Sequence, residues 1–391
     1  MKLEIRLIGK KGGSQKVFNV LFISVFSAML GLGIVVPLLP FYAESLGATG
    51  IWIGAIFSGF SLSRAVFMPI IGNLSDLRGR KIFILSGLLA YSLLSFLYIS
   101  ANSVYALTAV RVVHGVASAM VIPIAMAYIA DLSPEGGEGK HMGTFTISMF
   151  LGMGFGPLLG GIIKDTYGME AVFISMAIFS IIAFIICLIF LPEAKGKHVG
   201  SSLREALKSK IMRAVLFFRA MNAFAYGTFM VFLPVVGLKL ANLRPTEVGI
   251  LISLSIFTTA FLQRKFGKIA DIRRKSLLIV FGSIVVAFSL FMIPLFNSFT
   301  YLLTAALLIG IGGGISLPSA MAIVTIAGRE VGQGSAMGAF NTAMSIGMIT
   351  APMISGGIMD LLGEFYVFPF SGVIILLSIP VFWVMISDSQ I

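Results

Sequence analysis

The stretch GNLSDLRGRK, residues 72–81, lies between two long apolar runs, IWIGAIFSGFSLSRAVFMPI just before it and IFILSGLLAYSLLSFLYIS just after it. Only 11% of the 391 residues are charged, yet four charged side chains crowd into the last six positions of this segment. A charged knot between two runs that are each long enough to cross a bilayer reads as a tight loop at a membrane surface. A second knot, GKIADIRRK at 267–275, repeats the pattern in the other half of the chain.

Working outward, the whole chain has this character. It is 58% hydrophobic, whereas a soluble domain is about half apolar and a quarter charged. Spanning the hydrocarbon core takes about 20 mostly apolar residues. Nearly uncharged runs fall at roughly 17–43, 50–71, 82–100, 104–130, 142–163, 171–191, 214–237, 248–262, 277–297, 300–327, 336–359 and 366–386. The eighth is short. An outer-membrane barrel would show alternating segments of about 10 residues instead. The first run is too long for a signal-peptide core and reads as an uncleaved first helix. The single cysteine, Cys187, lies inside the sixth run, so no intramolecular disulfide forms and it reads as a buried apolar residue.

The net charge of +12 would suit nucleic acid, but its placement argues otherwise. With the N-terminus inside, the loops on that face hold 22 of the 28 Lys and Arg, and the opposite face holds Lys164, Lys239 and Arg244. By the positive-inside rule this predicts both termini in the cytoplasm of a multi-pass plasma-membrane protein, with no nucleic-acid partner.

An offset of 195 recurs when the chain is slid against itself. It pairs Asp76 with Asp271, Gly72 with Gly267, Gly115 with Gly310, Pro123 with Pro318, Gly152 with Gly347, Pro157 with Pro352 and Asp165 with Asp360. Glycine and proline in membrane helices mark close contacts and kinks, so matching them matches architecture. The expectation is an all-α integral membrane protein of twelve transmembrane helices in two parallel, pseudo-repeated six-helix bundles. The bundles span 1–191 and 214–391, joined by a cytoplasmic linker at 192–213. Parallel repeats of this kind are a transporter design.

At this point the sequence resembles the major facilitator superfamily over essentially its whole length. GNLSDLRGRK is similar to that family's motif A, with Gly72, Leu74, Ser75, Asp76, Gly79, Arg80 and Lys81 matching and Leu77 standing where a basic residue is usual. The second copy keeps Gly267, Asp271 and Arg274 but loses the second glycine. The resemblance implies that Asp76 lies near the cytoplasmic starts of helices 5 and 11, where a carboxylate is favoured by about 0.3–1 kcal/mol. Such a contact would latch an outward-facing state, with Arg80 paired to Asp131 and Lys140 standing for the basic residue that follows in the family. Simple positive-inside anchoring is the competing account of this loop.

RVVHG at 111–115 resembles motif B, whose arginine the family ties to proton coupling. A buried Arg costs roughly 2.5–3.5 kcal/mol on insertion scales, so Arg111 should have a task, although snorkelling to the surface competes. His114 is one turn away, and packing alone competes with a titrating role for it. Gly143, Gly152, Gly156, Pro157, Gly160 and Gly161 fall in register with motif C, which the family uses in proton-exchanging exporters; helix 11 carries the degraded copy Ala351, Pro352, Ser355 and Gly356.

The sixteen acidic residues all fall in loops or at helix ends, and the only charges within helices are Arg64, Arg111 and Arg219. That departs from the intramembrane carboxylate usual for cation exporters and favours neutral or anionic substrates. Proton coupling then falls to Arg111 and His114, to Asp76 or Asp131, or to Asp165 near the end of helix 5. Arg64 and Arg219 are the substrate-facing candidates, with Asn19, Asn222, Tyr226 and Asn341 as uncharged polar companions; helix-to-helix hydrogen bonds explain those four equally well.

No enzyme is indicated. PEGGEGKH at 134–141 lacks the leading Gly and trailing Ser or Thr of a P-loop, and His114, His141 and His198 are scattered, so neither a cofactor nor a metal is expected. A channel and a transport-dead sensor share enough features to need a flux measurement. The reading is a monomeric secondary transporter in the lipid bilayer, exporting small amphipathic molecules against inward proton flow. The alternative is an exporter or uncoupled facilitator of a polar metabolite such as a sugar.

Overall fold

The structure, a computed structural model, describes residues 11–133, 138–194, 207–295 and 298–386. His198 and most of the expected linker lie outside the described residues, as do the side chains of Lys140 and Arg329. Among the described residues, twelve helices are long and apolar enough to cross a membrane. They are α1 (Lys11–Val35, prolonged by a 3-10 turn and a short helix Leu39–Ser45), α2 (Gly50–Arg78), α3 (Arg80–Ile99), α4 (Val104–Leu132), α5 (Glu138–Tyr167) and α6 (Met169–Phe190). The second set is α7 (Lys210–Ala241), α8 (Pro245–Ile272), α9 (Lys275–Met292), α10 (Phe299–Val331), α11 (Gln333–Leu362) and α12 (Val367–Ile386).

Local chemistry sets the ends. Ser103 and Ser209 begin α4 and α7 by accepting hydrogen bonds from the N–H groups of Ala106 and Met212. The Glu247 carboxylate accepts the Arg244 N–H at 2.7 Å to open α8. Asn242 closes α7 in the left-handed conformation. The short eighth run is corrected here: α8 continues ten residues past residue 262, because Arg264, Lys265 and Lys268 ended the apolar count without ending the helix. Likewise α7 begins at Lys210, inside the expected linker.

The described chain groups into two compact units. One holds the residues up to Leu39 and from Gly59 to Ala194; the other holds Pro40–Ser58 and the described residues from Leu207 onward. Hydrophobic burial gives little drive between helices in lipid, so close backbone approach must do the work. In the first unit α1 and α5 meet along such a seam. A Cβ on Gly156 would fall 2.6 Å from the Gly33 Cα, and one on Gly152 would fall 2.8 Å from the Leu30 N. Gly115 of α4 sits equally tightly against Phe60 and Ser63 of α2.

The second unit repeats these contacts at the offset of 195. Gly310 of α10 packs on Ser255 and Thr258 of α8, and Gly347 of α11 on Ala220 and Ala223 of α7. One pair has changed character. The counterparts of Gly33 and Gly160 are Thr228 and Ser355, whose hydroxyls hydrogen-bond at 2.8 Å. At one end of this unit the Asp360 carboxylate accepts the N–H groups of Gly50 at 2.6 Å and Ile51 at 2.8 Å. Beside it in sequence, Glu364 pairs with Lys239 at 2.6 Å, and Lys239 also reaches Glu44 at 3.4 Å.

Candidate functional site

The charged knot that opens the sequence becomes a compact cluster in the first unit. Gly79, at φ +102°, ends α2 and lets α3 start at Arg80; only a glycine adopts this backbone without strain. The turn carries the Arg80 guanidinium between two carboxylates, 3.1 Å from Asp76 Oδ1 and 2.8 Å from Asp131 Oδ2 at the end of α4. The Arg80 side chain is only 4% exposed, against 20% for Asp76 and 31% for Asp131. A desolvated cation is tolerated here because two anions flank it.

A segment that sequence reasoning passed over clamps the same turn. Directly after α6, Ala194 accepts the Arg80 N–H at 2.9 Å, and Glu193 Oε1 accepts the Lys81 N–H at 3.1 Å. The Lys81 ammonium reaches back to the Leu188 carbonyl, and the Tyr128 hydroxyl donates to the Pro192 carbonyl. Glu193 thus places a carboxylate on the α3 N-terminus, the position its dipole favours. The signal was an acidic residue directly following a helix-ending proline. In the second unit Asp271 and Arg274 are exposed and do not pair with each other.

A second cluster lies within the first unit. His114 is fully buried, with Nδ1 2.8 Å from the Tyr98 hydroxyl. The rings of Tyr91, Phe60 and Tyr98 surround its imidazole at 4.7, 5.4 and 5.8 Å. Arg111 is 1% exposed, and its guanidinium carbon stands 4.2 Å from the centre of the Phe60 ring, a cation–π distance. Arg111 therefore does not snorkel to a surface. Arg64, halfway along α2, lies within electrostatic reach of Tyr91. Asp165 is exposed near the end of α5.

The motif C glycines divide by function in packing. Gly152, Gly156 and Gly160 press on α1, whereas a Cβ on Gly143 would meet nothing within 4 Å. Gly161 is buried, and Pro157 stands inside the helix.

In the second unit Arg219, Asn222 and Tyr226 recur at helical spacing along α7 and are each half-buried. Arg219 lies against Asn222, Met344 and Phe340. Asn341 is half-buried on α11. Asn19 is exposed, and its amide oxygen accepts a bond from Gln15 one turn earlier.

The Major Facilitator Superfamily profile matches residues 21–239 and 215–390. The chain belongs to that superfamily. An uncharacterized MFS-type transporter of Methanocaldococcus jannaschii is 31% identical over 375 residues, 93% of this chain and 96% of the relative. The quinolone resistance protein NorA of Staphylococcus aureus is 25% identical over 354 residues, 88% of this chain and 90% of NorA. Among solved structures, the nucleoside transporter NupG superposes with a TM-score of 0.80 at 14% identity, over 94% of this chain and 99% of NupG. At that identity the likeness speaks for the fold alone. The chain is thus an integral, multi-pass membrane transporter of the superfamily, with the twelve-helix fold.

Proposed function

We propose that the protein exports small amphipathic, neutral or anionic compounds in exchange for protons, from a cell membrane in which both of its termini face the cytoplasm. The observation that carries the coupling is the buried Arg111–His114 pair. Among the described residues His114 is the one imidazole held fully inside the first unit, and its Nε2 has no hydrogen-bond partner there. A proton taken up there would place a second positive charge one turn from Arg111. That repulsion disfavours the resting arrangement and supplies a reason for proton uptake to move the helix pair. NorA, a drug-resistance protein by name, and the motif C seam at Gly152, Gly156 and Gly160 support efflux as the direction. The interior arginines support the substrate charge: among the described residues neither Arg64 nor Arg219 has a carboxylate within ion-pair distance.

The energetics favour an anion. One charge crossing a 100 mV potential is worth about 2.3 kcal/mol. A monoanion leaving while one proton enters transfers two charges, so the drive doubles to about 4.6 kcal/mol. In the same scheme the Asp76–Arg80–Asp131 cluster, clamped by Glu193, serves as the cytoplasmic latch.

Proton flux in everted vesicles, read by dequenching of a pH-sensitive dye, tests this. Neutral and anionic members of a compound panel should dequench the dye, and Arg111→Ala and His114→Gln should abolish the signal while vesicle content of the protein stays constant. Dequenching by cations alone, or full flux in His114→Gln, would overturn the reading.

A further inference from the structure

Arg219 is a half-buried cation whose surroundings are wrong for a structural arginine. Two cations of the charged turn meet strong acceptors: Arg80 has two carboxylates and Lys81 a backbone carbonyl. Arg219 has neither. Its Nη1 is 3.4 Å from the Asn222 amide oxygen, beyond the usual 2.7–3.2 Å range. Its Nη2 is 2.7 Å from the Met344 sulfur, a weak acceptor. The guanidinium carbon stands 5.0 Å from the centre of the Phe340 ring, and Nε is buried with no partner among the described residues. Of five N–H donors, then, two have poor acceptors and the Nε–H has none.

Depth sharpens the question. Arg219 lies about 10 Å along the axis from the midpoint of α7, inside the roughly 15 Å half-thickness of the hydrocarbon core for a centred helix. From Ala223 to Gly237 every residue of α7 is buried except Tyr226. Arg219, Asn222 and Tyr226 therefore mark a polar, half-open stripe that runs into the enclosed part of the helix. A guanidinium on that stripe with weak protein partners has donor capacity that an anion would satisfy better.

We propose that Arg219 is a carboxylate subsite for the exported compound. The Nε–H and the neighbouring Nη2–H present a parallel pair that matches two carboxylate oxygens. Binding replaces the Met344 sulfur with a far better acceptor. The Asn222 amide, one turn on, can turn its NH2 toward the same oxygens. Phe340 and Met344 then take the flat apolar body, as an aromatic ring and an adaptable thioether suit. One guanidinium without a second cation among these neighbours selects a monoanion. This inference rests on the export reading for its biological sense, but binding alone tests it.

The probe pair is 1-naphthylacetate and 1-naphthylacetamide, which share ring and shape and differ by one charge. Binding of tritiated acid to the full-length protein in nanodiscs is measured by scintillation proximity, with each unlabelled compound as competitor. The acid should compete at least tenfold better than the amide. Arg219→Gln should bring the ratio to about one, and Arg219→Lys should retain a preference for the acid. Equal competition on the unmodified protein, no saturable acid binding, or an undiminished preference in Arg219→Gln would overturn the subsite. The two readings separate: acid preference without proton flux removes the coupling and leaves the subsite, whereas flux without acid preference removes the subsite alone.

Discussion

The α1–α5 seam makes a quantitative prediction, tested by placing alanine at two glycines of the same helix. At Gly156 the added Cβ would lie 2.5 Å from the Gly33 carbonyl carbon and 2.9 Å from the Ile34 nitrogen. Ordinary carbon contacts are about 3.5–4.0 Å, so the backbones must part by about 1 Å. Both neighbours are backbone, and neither can swing aside. Overpacking of that kind costs about 1–3 kcal/mol. At Gly143 the same Cβ meets nothing within 4 Å. Each alanine also gains about 0.5–1 kcal/mol from reduced backbone freedom in a helix. That gain is common to both sites, so the difference between them isolates the packing cost. Gly156→Ala should therefore be less stable than Gly143→Ala by about 1–3 kcal/mol, read by denaturant titration in detergent followed by circular dichroism. Proton flux should fall in the first and persist in the second. Equal stability of the two variants would refute the claim that the seam is set by backbone contact.

Three further outcomes follow from other contacts. Asp76→Asn and Asp131→Asn should each cost about 1 kcal/mol, but the double variant should lose more than their sum, because it alone leaves the Arg80 charge buried and uncompensated; a double-mutant cycle on unfolding free energy measures the excess. Gly79→Ala should be worse than Glu193→Gln, since a Cβ there combines the φ of +102° with collision against the Glu193 carboxylate. The Gln variant should cost about 0.3–1 kcal/mol and speed amide exchange only at the start of α3. Asp360→Ala should cost about 1 kcal/mol, as loss of a helix cap does, and its hydrogen exchange should rise at Gly50 and Ile51; unchanged exchange there would show that the cap is dispensable.

Much of the fold was legible because lipid imposes a simple rule. Any uncharged run of sufficient length had to become a helix, and the offset of 195 carried glycine and proline positions that reappear as matching contacts, Gly115 with α2 and Gly310 with α8. Helix ends were less legible. Counting apolar residues stopped at Arg264, while α8 runs on to Ile272, because long basic side chains reach water without disturbing the backbone. The knot at 72–81 was readable as a charged loop, and the Arg80–Asp131 contact was anticipated from the family pattern. Its Glu193 clamp was not, since it comes from a segment more than a hundred residues away. The same holds for His114. Sequence showed a histidine one turn from an arginine, but the enclosing Tyr91, Tyr98 and Phe60 rings arrive from α3 and α2. Asn19 is a different case. Sequence left a ligand contact and a hydrogen bond between helices both open for it, and its oxygen takes a bond from Gln15 one turn earlier in its own helix.

The exchange of Gly33 and Gly160 for Thr228 and Ser355 gives the duplicated halves different futures. A joint in which glycines press on main chain, Gly33 on Gly156 and Gly160 on Ile34, has no spare atoms, so a side chain added at either glycine is an obstruction. A joint closed by two hydroxyls can lose, weaken or re-form its bond while the main chains keep their spacing. Drift after the duplication should therefore accumulate in the second seam, and substrate range should evolve there first. Grafting the pair backward, Gly33→Thr with Gly160→Ser, asks whether the older-looking joint can still learn the younger one's chemistry.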